Sequence, residues 1–218
     1  MTEMKNAKAG RERRKRSRLL TAAGAACLLA FAVILFAVSG GIQKMRTASI
    51  LNGDGILSED WIVQDLLPVN DCSRPGEKLT WVNAIVVHYV GNPGTTAQQN
   101  RDYFASLAET EQAYASSNFV IGLDGEVIQC VPINEVAYCS NDRNGDTISI
   151  ECCHPDESGV FTQETYASLV RLLRTLCDRF GLKEDDIIRH YDVTGKLCPL
   201  YYVEHEDAWL QLKEDVFS

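Results

Sequence analysis

An uncharged run near the start of the chain most constrains what this sequence can become. Leu19 to Ser39 reads LLTAAGAACLLAFAVILFAVS, and residues 19–40 carry no charge. About 20 such residues cross a bilayer as a helix. The basic run RERRKRSR stands immediately before it. Positive charge stays on the cytoplasmic side, so whatever follows is expected outside. The sequence therefore divides into a basic cytoplasmic tail (1–18), a transmembrane signal-anchor (19–40), a linker (41–74) and an extracytoplasmic body (75–218). A buried core helix would show a polar face, which this run lacks. A cleaved signal peptide is the rival reading, because Ala37-Val38-Ser39 offers small residues at a cleavage position. Cleavage would make the body a secreted protein. The run exceeds the usual signal core, which favours a retained anchor at the cell membrane. Cys27 follows Gly24-Ala25-Ala26, without the aliphatic residue of a lipoprotein signal, and reads as a membrane-embedded thiol.

Charge separates the body from the tail. Of 21 basic residues, eight lie in the first 18 positions, leaving 13 against 28 acidic ones, a balance of −15 over the rest. A body this acidic argues against nucleic-acid binding, which favours a basic face. At 45% hydrophobic residues the chain has material for a real core. In the linker, Asn52-Gly-Asp-Gly55 is a turn without the acidic spacing of a calcium loop. Ile62 to Leu67 is expected as a short helix.

The body alternates strand and helix signals. Trp81 to Val90 is rich in β-branched and aromatic residues and reads as a buried strand, stopped by Gly91-Asn-Pro-Gly94. Thr96 to about Gln112 reads as a helix with Phe104, Leu107 and Ala108 on its apolar side. Asp124-Gly125 between two apolar runs signals a hairpin whose two central residues need positive φ. Thr147 to Cys153 is another strand. Thr162 caps the clearest helix, with Phe161 expected to staple onto Tyr166. Tyr166, Leu169, Val170, Leu173, Cys177 and Phe180 share its apolar face, and Gly181 ends it. Ile187-Ile188 is a short strand, and Glu206 to Val216 a terminal helix. The pattern predicts an α/β domain, a mixed central sheet flanked by helices.

Few residues can do chemistry. His88 ends the first long strand beside a Gly/Pro loop, and His190 ends the late short one. Strand ends build sites, because the sheet fixes them and the loops open them. Cys198 lies eight residues beyond His190, with Gly195 available for a reversal. Two imidazoles and a thiolate make a three-ligand zinc set that keeps a fourth position open. The plain alternative is a packed or exposed histidine. Glu151 lies in an otherwise apolar strand and needs a partner or a purpose; a salt-bridged carboxylate at a sheet edge is the plain account. Strand parity puts Glu151 with Ser149 and Cys153, and Cys152 with His154, which makes His154 a weak ligand candidate.

The ordered set of motifs resembles a known family. A His-Tyr-Val-Gly stretch at His88 follows a hydrophobic strand. Asn118-Phe119 precedes the Asp-Gly hairpin. Thr147-Ile-Ser-Ile-Glu151 and His190-Tyr-Asp-Val-Thr-Gly-Lys-Leu-Cys198-Pro199 then follow. Over about residues 78–215 this is similar to the zinc-dependent N-acetylmuramoyl-L-alanine amidases of the phage T7 lysozyme, AmpD and peptidoglycan-recognition protein superfamily. The resemblance implies zinc ligands at His88, His190 and Cys198, a catalytic carboxylate at Glu151 and a catalytic lysine at Lys196. The phage-lysozyme branch carries a tyrosine just before the hairpin, where this chain has Ser116-Ser117-Asn118, so the chain follows the Glu-bearing branch. The implied substrate is bacterial peptidoglycan, cut between N-acetylmuramic acid and L-alanine in wall turnover or lysis. The implied partners are that substrate and the membrane, for a monomer. A muropeptide-binding module without activity is the alternative, which Cys198 opposes, since binding members lack the Cys or Asp ligand. A zinc- or disulfide-stabilised interaction domain is the third reading. No cysteine pairing is assigned: Cys177 lies on an apolar helix face, and Cys152 and Cys153 point to opposite sides of their strand.

The basic flank and the uncharged run generate a topological prediction. Protease added to intact protoplasts should digest the body; digestion only after lysis would reverse the orientation. Release of a chain starting near Gly40 would identify a cleaved signal.

Overall fold

The computed structural model describes Thr47 and residues 49–218; the tail and the run Leu19–Ser39, read as a membrane anchor, lie outside the described residues. No helix among the described residues is long and apolar enough to cross a membrane.

Six strands form one mixed sheet: β1 (Ile62–Gln64), β2 (Ala84–Tyr89), β3 (Phe119–Ile121), β4 (Val127–Gln129), β5 (Thr147–Cys152) and β6 (Ile187–Arg189). Their order is β1-β4-β3-β5-β2-β6. Only β3 and β4 run antiparallel; the other neighbours are parallel. The central strands β2, β3 and β5 are apolar runs because both of their faces are covered.

Local signals in the sequence explain the helices. Helix α1 (Ala97–Thr110) starts at Thr96, whose hydroxyl accepts from Gln99 N while the Gln99 side chain returns to the Thr96 N–H. Helix α2 (Gln163–Phe180) starts at Thr162 and stops at Gly181, at φ 70°. Leu169, Leu172, Leu173, Leu176, Cys177 and Phe180 of α2 are buried. Phe161, expected against Tyr166, has Tyr202 as its aromatic neighbour, with ring centroids 5.0 Å apart. Short helices α3 (His190–Thr194) and α4 (Leu200–Glu204) lead to α5 (Glu206–Phe217), which packs on α2 through Trp209, Leu212 and Val216.

The sheet separates two cores. The larger holds Ile85, Val87, Phe119, Ile148, Ile150 and Cys152 with the buried faces of α2 and α5. The smaller holds Val120, Ile128, Cys130 and Cys153 with Ala97 and Phe104 of α1. Cys152 and Cys153 thus enter different cores, as strand alternation requires. Helix α1 lies over β3 and β4, and the same face of β2, β5 and β6 is left for loops. The seven described cysteines are all free thiols.

Three expectations meet a different outcome. Ile62–Gln64 is a strand, not part of a helix; it pairs parallel with the otherwise open edge of β4. The stretch read as a linker supplies this strand and the buried Leu51, Leu57 and Leu67. The Gln129 amide donates to Gly55 O (2.7 Å), and Asn134 donates to Gly53 O (2.7 Å), so buried side chains bind the Asn52–Gly55 turn. The hairpin carries positive φ only at Gly125 (82°). Gly122 N donates to Glu126 O and Gly125 N to Gly122 O, a connection one residue longer than the two-residue turn expected. Thr162, Thr165 and Ser168 donate to the carbonyls of Leu123, Gly122 and Gly125, so the start of α2 is stitched to this turn.

One buried ion pair closes the body. Glu135 accepts from Arg74 Nε (2.7 Å), Arg74 Nη2 (3.2 Å) and Lys78 Nζ (3.0 Å), while Arg74 also donates to Leu67 O. Burial pushes the Glu135 carboxyl up, but Arg74 and Lys78 outweigh it and hold its pKa below the ordinary value. A depressed folded-state pKa stabilises above the unfolded value and is lost as pH falls through the folded one. Glu135→Gln should lower unfolding stability at neutral pH by about 2 kcal/mol. It should also flatten the loss of stability in acid, measured by denaturant titration from pH 7 to pH 3.

Candidate metal centre

His88 and Glu151 are brought together by strand register. Strands β2 and β5 pair in parallel with His88 opposite Glu151 and Val86 opposite Ser149. Partners in register point to the same face, here the one shared with Val120, opposite Glu151 on β3. His190 follows β6, which lies on the other side of β2. Gly195, at φ 78°, ends α3 and turns the chain so that Tyr191 N donates to Cys198 O (3.0 Å).

Three ligand atoms converge there. His88 Nδ1 lies 3.2 Å from His190 Nδ1 and 3.8 Å from Cys198 Sγ. The three side chains are buried, and their ligand atoms all lie within 4.8 Å of one another. The far side of each imidazole is held: His88 Nε2 by Ser140 Oγ (3.1 Å) and His190 Nε2 by Asn141 Oδ1 (2.9 Å). An amide oxygen on His190 Nε2 favours the N–H there and a bare Nδ1, the second-shell arrangement that prepares a histidine for a metal, while the Ser140 hydroxyl orients the His88 ring. The residues fit a metal ion: two buried imidazoles and a thiol each bring a ligand atom to one point.

Electrostatics agree with the geometry. Burial lowers the His88 pKa well below its ordinary value, with the charges of His190 and Lys196 adding to it. His190 is lowered by burial and by Lys196. Both imidazoles are thus neutral, the form that binds metal. Burial and the Glu151 charge push the Cys198 thiol up to about 12, so only a cation at the site would hold it as thiolate at neutral pH. Burial pushes Glu151 to about 7, against the lowering effects of Cys139 and Lys196. Glu151 Oε2 is buried without a hydrogen-bond partner among the described residues. Lys196 itself is exposed on the turn before Cys198.

Other sequence candidates take structural roles. His154 is buried, with Nδ1 on Asp156 O (2.7 Å) and Nε2 on Val90 O (2.8 Å). Asn118, in the stretch that lacks the tyrosine, is buried; its Oδ1 accepts from Ser149 N (3.0 Å) and its Nδ2 donates to Pro132 O (3.1 Å). Sequence reasoning missed Ser140 and Asn141, the residues behind the imidazoles. Their signal was faint: a polar loop, Cys139-Ser-Asn-Asp-Arg-Asn-Gly145, ahead of the strand that carries Glu151. It missed Arg189 as well. That buried guanidinium meets Asp192 (2.9 Å) and Glu206 (2.6 Å) and lies over Trp209, anchoring the residue next to His190.

A mixed sheet with a two-histidine, one-cysteine cluster beside a buried carboxylate defines the class. The N-acetylmuramoyl-L-alanine amidase profile (Amidase_2) matches residues 78–200, and the chain belongs to that family. It is 34% identical over 169 residues to the amidase CwlL of Bacillus licheniformis, covering 72% of this chain and 47% of that protein. It is 34% identical over 171 residues to the amidase BlyA of Bacillus subtilis, covering 69% and 45%. The chain spans about half the length of these curated relatives. The solved catalytic domain of XlyA superposes with a TM-score of 0.60 at 26% identity, covering 71% of this chain and 98% of that one.

The hydrogen bond behind His190 can be tested. Asn141→Ala should weaken divalent-metal affinity by about 10- to 100-fold, read by competition with a chromophoric chelator. Unchanged affinity would show that Asn141 does not set the imidazole.

Proposed function

We propose that this protein is a zinc-dependent N-acetylmuramoyl-L-alanine amidase that cuts peptidoglycan between the lactyl group of N-acetylmuramic acid and L-alanine. The observation that carries the reading is Glu151, opposite His88 in the β2–β5 register and beside the His88/His190/Cys198 cluster. Family membership and the relatives named amidase support the substrate. Imidazole and thiolate ligands suit zinc.

His88, His190 and Cys198 would hold the ion. Bound there, zinc supplies Lewis-acid polarisation of the amide carbonyl and lowers the pKa of water towards neutrality. Glu151 accepts the proton of the attacking water and delivers it to the leaving alanine nitrogen. Its pKa of about 7 matches both tasks, because a general base and acid works best near the operating pH. Lys196 places its ammonium on the negative charge developing at the carbonyl oxygen. We also place the body outside the cell on the Leu19–Ser39 anchor, supported by the basic flank and the uncharged run.

Two measurements test the reaction. Glu151→Gln should keep its metal and lose about 10²–10⁴ in turnover, since Gln cannot accept the proton. Digestion of purified peptidoglycan should expose new amino-terminal L-alanine and no new reducing ends, identified by labelling and mass. New reducing ends without new alanine termini would reject the amidase reading. Metal binding without any cleavage would favour the muropeptide-binding alternative.

A further inference from the structure

We propose that Cys139 is a positioning residue for Glu151: its thiol holds one carboxylate oxygen and leaves the other free to carry the proton. The inference rests on the reading of Glu151 as proton carrier. Cys139 Sγ donates to Glu151 Oε1 at 3.5 Å, while Oε2 is buried without a partner among the described residues. The two oxygens of one carboxylate are therefore differentiated by a single side chain.

The loop that delivers this thiol is built rigidly. Asn144 Oδ1 accepts from both Cys139 N (3.1 Å) and Ser140 N (2.6 Å). Thr147 Oγ1 donates to Arg143 O, and Arg143 pairs with Asp146 at 2.8 Å. Consecutive residues then serve consecutive tasks. Cys139 addresses Glu151, Ser140 addresses His88, and Asn141 addresses His190. Cys139 also lines a recess of about 200 Å³ with Tyr114, Tyr138, Asn141 and Asn144.

A thiol suits this position for a chemical reason. A carboxylate that accepts two or three N–H donors becomes a poor base. The S–H group is a weak donor. It fixes the orientation of Oε1 without removing the basicity that proton transfer needs.

The test is a double-mutant cycle on the full chain with purified peptidoglycan, reading kcat, KM and bound zinc. Cys139→Ala should lose about 10- to 100-fold in kcat, the effect of a misplaced reacting group. KM and zinc content should not change. Cys139→Ser, which restores a short donor, should recover most of the loss. In a Glu151→Gln background, Cys139→Ala should add no further loss, because the group it positions no longer carries a proton. A wild-type kcat for Cys139→Ala, with Glu151→Gln inactive, would overturn the role of Cys139 alone. So would an equal loss in both backgrounds, or a loss of zinc. Full turnover by Glu151→Gln would instead reject the reading of Glu151 on which the proposal stands.

Discussion

The site depends on one constraint, the parallel register of β2 against β5. Ile85, Val87, Ile148 and Ile150 of these strands pack into the core beneath α2 and α5. Their packing fixes which residue stands opposite which. A slip of one residue would turn every one of these side chains to the opposite face. It would also carry Glu151 away from His88. The apolar contacts on one face of the sheet thus set the chemical geometry on the other. His190 enters from the far edge of β2 on the same terms, through β6.

That second face is covered by loops as well as by a helix, for a topological reason. Helix α1 lies mainly over β3 and β4, and the ends of β2, β5 and β6 meet the Cys139–Asp146 loop and the turn at Gly195. Loops can bring polar atoms to a buried place, which a packed helix cannot do as freely. Ser140 and Asn141 arrive this way behind the imidazoles, and Cys139 arrives beside Glu151.

The treatment of buried polar groups differs sharply between scaffold and site. Asn118, Gln129 and Asn134 are buried and bonded to backbone across distant segments, and the Glu135 carboxylate has two cationic partners. At the site, one oxygen of Glu151 has no partner, and two imidazole nitrogens face each other across 3.2 Å. Leaving buried polar atoms unmet is unfavourable. Among the described residues Glu59 Oε2 and Glu126 Oε2 are also buried without a partner, and what sets Glu151 apart is its place beside a cluster of metal-ligating side chains.

Sequence alone determined the parts with short-range causes. Thr96 and Thr162 cap helices through bonds to residues three positions on, and Gly181 ends one by taking a left-handed conformation. The strands bearing His88 and Glu151, and the one that leads into His190, were legible from their β-branched runs. The motif order around those residues and Cys198 pointed to the family before any distance was known. What only the tertiary structure decided has long-range causes. Ile62–Gln64 became a strand because the edge of β4 offers backbone partners that no local propensity encodes. Gln129 and Asn134 reach back more than 70 positions to bind the turn before it. The pairing of His88 with Glu151, and the arrival of Cys139, Ser140 and Asn141 behind them, required the sheet and its loop to be folded. Spacing along the chain carries the identity of a side chain and the direction of its strand. Which neighbour it meets across the sheet is fixed by packing.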